Sequence, residues 1–173
     1  MQEFTFRILD DGTYMAVSYD GDESHVVIPD TYHGAPVTIL FDNLFSGHQE
    51  ITSVSIPGTV TDIGGFVFDG CSGLKELDLP DSVTTLWQYA FARCGLTKIA
   101  LPDGIQSIPP FAFKNCTELK EVRCGKGLKK IYAWAFGGCE QLEKLDHPPG
   151  KVEISPRAFE MEKGRTEQQD ARP

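Results

Sequence analysis

The sequence contains no apolar run of 18 residues, so no segment of it can cross a bilayer as a helix. It is also short of positive charge. Only 16 Lys+Arg stand against 25 Asp+Glu, a formal net charge of −9. That balance argues against general nucleic-acid binding, where a basic surface supplies most of the non-specific affinity. Histidine is scarce: His25, His33, His48 and His147 form no H-E-x-x-H or comparable pair on one element. The cysteines contain no C-x2-C unit, so the ligand spacing of a zinc site is missing. Ser72, Ser82 and Ser107 lack a Gly-x-Ser-x-Gly context, and neither Gly64-Gly65 nor Gly137-Gly138 runs into the Lys-Ser/Thr of a phosphate loop. Asp20-Gly21-Asp22-Glu23 lacks the later ligands and closing Glu of a calcium loop and reads as a turn. The N-terminus, Met1-Gln2-Glu3-Phe4-Thr5-Phe6-Arg7, has neither a basic n-region nor an apolar h-region, so no signal peptide is expected. These absences leave no enzyme, no metal and no cofactor to expect.

What the sequence does have is a period. The chain is 173 residues long, 40% hydrophobic, with 17 Gly and 11 Pro, which suits a single domain with a core and many turns. Phenylalanines recur at Phe45, Phe68, Phe91, Phe113, Phe136 and Phe159, spaced by 23, 23, 22, 23 and 23 residues. Cysteine follows three residues later in the four inner units, as Cys71, Cys94, Cys116 and Cys139. An aliphatic residue precedes each Phe by five (Leu40, Ile63, Leu86, Ile108, Ile131, Ile154), and a small or aliphatic one immediately precedes it. Coincident columns at one fixed period are the signature of a solenoid.

Each unit also carries a short alternating run ending in a breaker: Ile51 to Pro57, Leu74 to Pro80, Leu96 to Pro102, Leu119 to Gly125 and Leu142 to Pro148. The pattern L-x-x-L-x-L turns its apolar residues inward along a strand of period two, with His147 at the last inward position. Strands from successive units should stack in parallel, about 4.8 Å apart. The single spacing of 22 comes from Cys94-Gly95-Leu96, one residue shorter than Cys71-Ser72-Gly73-Leu74; it falls in a loop and should leave register intact. Two residues after Phe stand Gly47, Gly70, Asn115 and Gly138, which tolerate positive φ. Arg93 interrupts that column, so its turn should differ.

Val60-Thr61-Asp62-Ile63-Gly64-Gly65-Phe66-Val67-Phe68-Asp69-Gly70-Cys71-Ser72-Gly73-Leu74 followed by Leu79-Pro80-Asp81-Ser82-Val83 resembles the BspA-type leucine-rich repeat, a class widespread in bacteria. The resemblance covers residues 37–159, and Phe4 to Val37 is similar to the leading unit of that family. It implies a right-handed, curved solenoid of short parallel strands, often a surface-exposed binding or adhesion module. The expected organisation is a β-hairpin cap over residues 1–36, repeats over 37–159 and a polar, weakly ordered tail over 160–173. In the cap, Phe4, Phe6 and Ile8 alternate with polar residues, and Asp10-Asp11-Gly12 offers the hairpin turn.

The cysteine ladder reads as reduced, buried thiols, because equivalent positions in stacked coils point the same way and cannot face one another as a disulfide requires; Cys124 should be core as well. The charge is uneven: residues 1–45 carry −7, while 114–131, with Lys114, Lys120, Arg123, Lys126, Lys129 and Lys130, carry +4. Two binding candidates follow. Phe66, Tyr89, Phe111 and Trp134, two before each Phe, should align along one flank, with Trp87 and Tyr132 two residues earlier. The alternative for that stripe is local packing. The strand face, with Arg123 and Lys126 beside it, is the second candidate. The expected function is a monomeric, non-enzymatic module that binds a protein partner through its concave strand face or aromatic flank. The alternative is a structural spacer or an adhesin fragment of a larger bacterial assembly.

Overall fold

The computed structural model describes residues 1–161. The expectation of a weakly ordered tail therefore falls, beyond Glu160 and Met161, outside the described residues. Among the described residues there is no helix; the chain winds as a β-solenoid of about six turns.

The cap is the expected hairpin. β1 (Glu3–Ile8) and β2 (Tyr14–Asp20) pair antiparallel around a turn in which Gly12 takes φ 84°, a conformation without penalty only for a residue lacking Cβ. Its aromatic residues close the solenoid: the Phe4 ring meets Phe45 edge-on at 6.2 Å, and Tyr19 meets Phe45 at 5.3 Å. The repeating coil begins early. β3 (His25–Val27), inside the segment read as cap, already pairs in parallel with β6 (Ser53–Ser55). β4 (Thr31–Tyr32) folds back on β5 (Ala35–Leu40), which joins β2 in parallel.

Each coil then has three sides. The first carries the L-x-x-L-x-L strand: β6, β9 (Lys98–Ala100), β11 (Glu121–Arg123) and β13 (Lys144–Asp146), the last three paired in parallel and in register. The second carries β7 (Asp62–Ile63), β8 (Thr85–Leu86), β10 (Ser107–Ile108), β12 (Lys130–Ile131) and β14 (Glu153–Ile154). The third is a turn around the repeating Phe. There the amide of each Phe donates to the carbonyl of the small residue one coil on: Phe45 to Val67, Phe68 to Ala90, Phe91 to Ala112, Phe113 to Ala135 and Phe136 to Ala158, all at 2.8–2.9 Å. That place holds a buried Leu44 in the first coil, Val67 in the second and Ala in the rest.

The Phe column is the spine of the core. Phe45, Phe68, Phe91, Phe113 and Phe136 are fully buried and stack face to face, with centroids 5.1–5.6 Å apart. Burying each ring is worth roughly 1.5–3 kcal/mol, and stacking adds about 0.5–1.5 more. Phe159 stacks on Phe136 at 5.7 Å but ends the column and is 51% exposed.

Three expectations need correction. Residues 74–80 keep the predicted alternation, with Leu74 and Leu77 buried and Glu76 and Asp78 exposed, yet they form no strand. A rung of three residues makes few ladder bonds; this one keeps the bond from the Thr97 amide to the Lys75 carbonyl at 3.0 Å, yet pairs as a strand with neither β6 nor β9. Gly95 lets the shortened loop pass: a Cβ there would meet the Ser72 carbonyl. Second, the Arg93 turn does not differ; Arg93 takes φ 53°, like its column partners. Its guanidinium instead makes a two-pronged ion pair with Asp69 of the previous coil, at 2.9 and 2.8 Å, over a carboxylate that is nearly buried. Third, His147 is exposed rather than inward, since no further described rung of the strand side stacks on β13.

Candidate interaction surfaces

The aromatic stripe exists but faces inward. Phe66, Tyr89 and Phe111 are buried, and they stack on one another and on the partly buried Trp134 at 4.5, 4.8 and 5.3 Å, within 11° of parallel. Their backbones explain the orientation. All four take φ of 59–63°, and Asn43 holds the same place in the first coil at 65°. A left-handed backbone is costly for bulky side chains, so the stack that these corners build has to offset the strain. Lys114 lies over the Phe111 ring at 5.7 Å and is itself almost covered. The stripe is a second, smaller core line.

Trp87 and Tyr132, two residues earlier, remain outside, at 56% and 39% exposed. They follow β8 and β12 and so belong to the second side of the coil. Pro109, half-buried, occupies the same place in the coil between them. Lys130 sits over the Tyr132 ring at 4.8 Å and pairs with Glu153 at 3.2 Å.

The strand face alternates in charge along the solenoid rather than across it. Glu76, Lys98, Glu121 and Lys144 follow one another in a column, with ion pairs Lys98–Glu76 at 3.4 Å and Lys144–Glu121 at 3.5 Å. Arg123 is exposed in the neighbouring column. Lys126 is exposed at the following corner, where its amide donates to the Asp103 carboxylate at 2.8 Å. The basic run 114–131 is thus no single patch: it winds most of the way round one coil, from Lys114 on the turn side through Arg123 on the strand face to Lys130 on the second side. Two grooves flank the unpaired rung 76–78. One, of about 580 Å³, lies toward His25, Ser53 and Ser55; the other, of about 240 Å³, lies toward Lys98, Ala100, Glu121 and Arg123.

The cysteines are free thiols. Cys71, Cys116 and Cys139 donate to the carbonyls of Phe45, Phe91 and Phe113 at 2.9–3.1 Å, tying each coil to the one before. Cys94, in the shortened coil, reaches the Cys71 carbonyl instead, at 3.5 Å. Burial pushes the Cys71 and Cys116 thiols far up, and those of Cys94 and Cys124 up to about 12, so these thiols are poor nucleophiles at neutral pH. Cys124 is half-buried. Among the described residues no group of His, Cys, Asp and Glu could hold a metal ion, and no helix is long and apolar enough to cross a membrane. Glu23 accepts from the Tyr19 hydroxyl at 3.1 Å, in the link between β2 and β3.

A family model for the BspA type leucine-rich repeat region matches residues 38–164 in six copies. The chain belongs to the BspA-type leucine-rich repeat family. Among solved structures it is similar to the T. pallidum leucine rich repeat protein (TpLRR), with a TM-score of 0.70, 28% identity, and coverage of 87% of this chain and 82% of that one. It is similar also to a leucine-rich repeat protein from Bacteroides ovatus, with a TM-score of 0.65 and 25% identity, spanning 92% of this chain but 50% of that one. A third, from Bacteroides capillosus, gives 0.61 and 28%, covering 70% and 93%. The comparison with curated proteins finds no match. BspA-type repeats are in general protein-interaction or surface modules, and the coils of this chain differ from one another at the unpaired rung 76–78, at Pro109 and at the exposed Trp87 and Tyr132. Sequence reading named the aromatic pair. It missed the groove-lining residues, although Pro109 at a ladder position was a visible signal.

Proposed function

We propose that the chain is a non-enzymatic interaction module that binds a protein partner through its strand face, centred on the rung 76–78 and the grooves beside it. The observation that carries this reading is the pairing of those grooves with mixed charge: Lys75, Glu76, Asp78, Lys98 and Arg123 offer both signs within a surface broken by concavities. Mixed, exposed charge favours oriented polar contact over diffuse attraction. The buried Phe66–Trp134 stack does not serve, since replacing those rings tests packing rather than binding.

The double variant Glu76→Lys/Arg123→Glu leaves net charge unchanged and reverses both signs on the face. Immobilised wild-type chain should retain a partner that this variant loses and that Trp87→Ser keeps. Equal retention by the reversed variant sinks the strand-face reading. A spacer, the alternative role, would retain nothing in any form.

A further inference from the structure

Among the described residues the second side of the coil is interrupted once, and the interruption makes a site. In the other rungs, the residue following the strand donates its amide to the previous coil: Gly64 to the Leu40 carbonyl, Trp87 to Ile63, Tyr132 to Ile108 and Ser155 to Ile131, all at 2.8–3.0 Å. In the rung after β8 that residue is Pro109, which has no N–H to give. β8 and β10 accordingly belong to different sheets, and the Leu86 carbonyl has no amide above it at position 109. A groove of about 330 Å³ opens between the two rungs, lined by Thr84, Thr85, Leu86, Gly104, Gln106 and Ser107.

The chemistry of this groove is specific. Its lining offers three hydroxyls, one amide and an acceptor carbonyl, and no ionised group. Beside it stand Trp87, Pro109 and Tyr132, flat and apolar, in one column along the solenoid axis. With rungs about 4.8 Å apart, rings two rungs from one another lie about 10 Å apart. The nearest cations are already engaged: Lys129 with the Gln106 side chain at 3.3 Å, and Lys130 with Glu153 and the Tyr132 ring.

A ligand matching these features is uncharged, carries many hydroxyls able to donate and accept, and has flat apolar faces repeating every second unit. We propose that this face binds a neutral, extended β-linked polysaccharide, laid along the solenoid axis with sugar rings on Trp87 and Tyr132 and hydroxyls in the groove. In an extended β-linked chain alternate pyranose rings present the same face, and two units span close to the distance between the two aromatic rings. Charge is matched as well. A neutral chain meets an uncharged lining, whereas a polyanion would approach a molecule of net charge −9 whose local cations are occupied. The site lies on a different side of the coil from the strand face, so its fate and that of the protein-binding reading are independent.

The test is native affinity electrophoresis of the full chain in gels containing soluble mixed-linkage β-glucan, hydroxyethyl cellulose or, as the coiled α-linked control, dextran. Wild-type chain should be retarded in the two β-linked gels and run freely in dextran. Trp87→Ser and Tyr132→Ser should each weaken retardation several-fold and the double variant abolish it, with melting unchanged because both rings are exposed. Pro109→Ala, which restores an N–H toward the Leu86 carbonyl, should weaken retardation while leaving both rings in place. Trp134→Phe, in the buried stack, should have no effect. In solution, cellohexaose should shift the Trp87 fluorescence. Free migration of the wild type in every gel overturns the proposal, as does retardation that survives the double variant. Equal retardation in dextran overturns the extended-chain assignment.

Discussion

Phe113→Ala removes the middle rung of the Phe column. The ring is fully buried and sandwiched between Phe91 at 5.1 Å and Phe136 at 5.3 Å. Truncation deletes its transfer free energy, leaves a cavity that rigid neighbouring rings cannot fill, and breaks two stacks at once. The expected loss is about 3–5 kcal/mol. The backbone limits relaxation: the amides of Phe91 and Phe113 are both held by carbonyls of the following coils, at 2.9 and 2.8 Å. Urea unfolding followed by tryptophan fluorescence reads the change, with Trp134 reporting from the adjoining stack. With an m-value of about 2 kcal/mol/M, the midpoint should fall by about 2 M. Phe159→Ala is the internal control. That ring is half exposed and has one stack, so its loss should cost about 1 kcal/mol. If Phe113→Ala costs under about 1 kcal/mol, or no more than Phe159→Ala, the column is not the spine of the fold.

Tyr89 holds a left-handed backbone and two ring stacks, so Tyr89→Ala keeps the strain and loses the rings, whereas Tyr89→Gly loses the rings and the strain together; by thermal melting the Gly variant should be the more stable by about 1 kcal/mol, and the reverse order would mean the corner is unstrained. Arg93→Gly likewise relieves a left-handed residue but strands the nearly buried Asp69 carboxylate; a net loss of about 1–3 kcal/mol is expected, and a gain in melting temperature would show that the ion pair contributes nothing. The raised thiols make stability fall at high pH. Unfolded cysteines ionise from about pH 8.5, while Cys94 and Cys124 in the folded chain hold their protons to about 12. Stability in reductant should therefore be level from about pH 6 to 8 and decline from about pH 9 toward 12, and a urea midpoint still level at pH 10.5 would contradict buried thiols.

The coil, its period and its core columns were legible because they follow from one rule: residues a repeat apart share an environment. The Phe, Cys and aliphatic columns all fell where that rule puts them. What the rule does not fix is which way a corner faces. Tyr89 and Trp87 are both aromatic residues of the same coil, yet one is buried and the other exposed, and Tyr89, like Phe66, takes a left-handed backbone that folds its ring inward. The signal was Asn43, a residue tolerant of positive φ, standing at the head of the Phe66 column. Charge follows the same rule. A run such as 114–131 looks like a patch in sequence but winds round the coil, and only charges one repeat apart, such as Glu76 and Lys98, become neighbours.

The same rule locates the interruption between the coils of Phe91 and Phe113. The second side loses its ladder at this junction, at Pro109, while the strand side keeps the bond from the Thr97 amide to the Lys75 carbonyl at 3.0 Å. The turn side does not part. Phe91 still donates to Ala112 and Arg93 to Lys114, at 2.9 and 2.7 Å, so the two coils stay bonded along the turn side. An open ladder exposes backbone groups to water rather than burying them, which keeps its cost far below the 1–3 kcal/mol of a buried unsatisfied group. A chain with Pro109→Ser should restore the ladder of the second side. Its amides in 106–109 should exchange more slowly with deuterium than those of the parent, and its urea midpoint should rise. If the repaired chain exchanges as fast as the parent, Pro109 is not the cause of the gap.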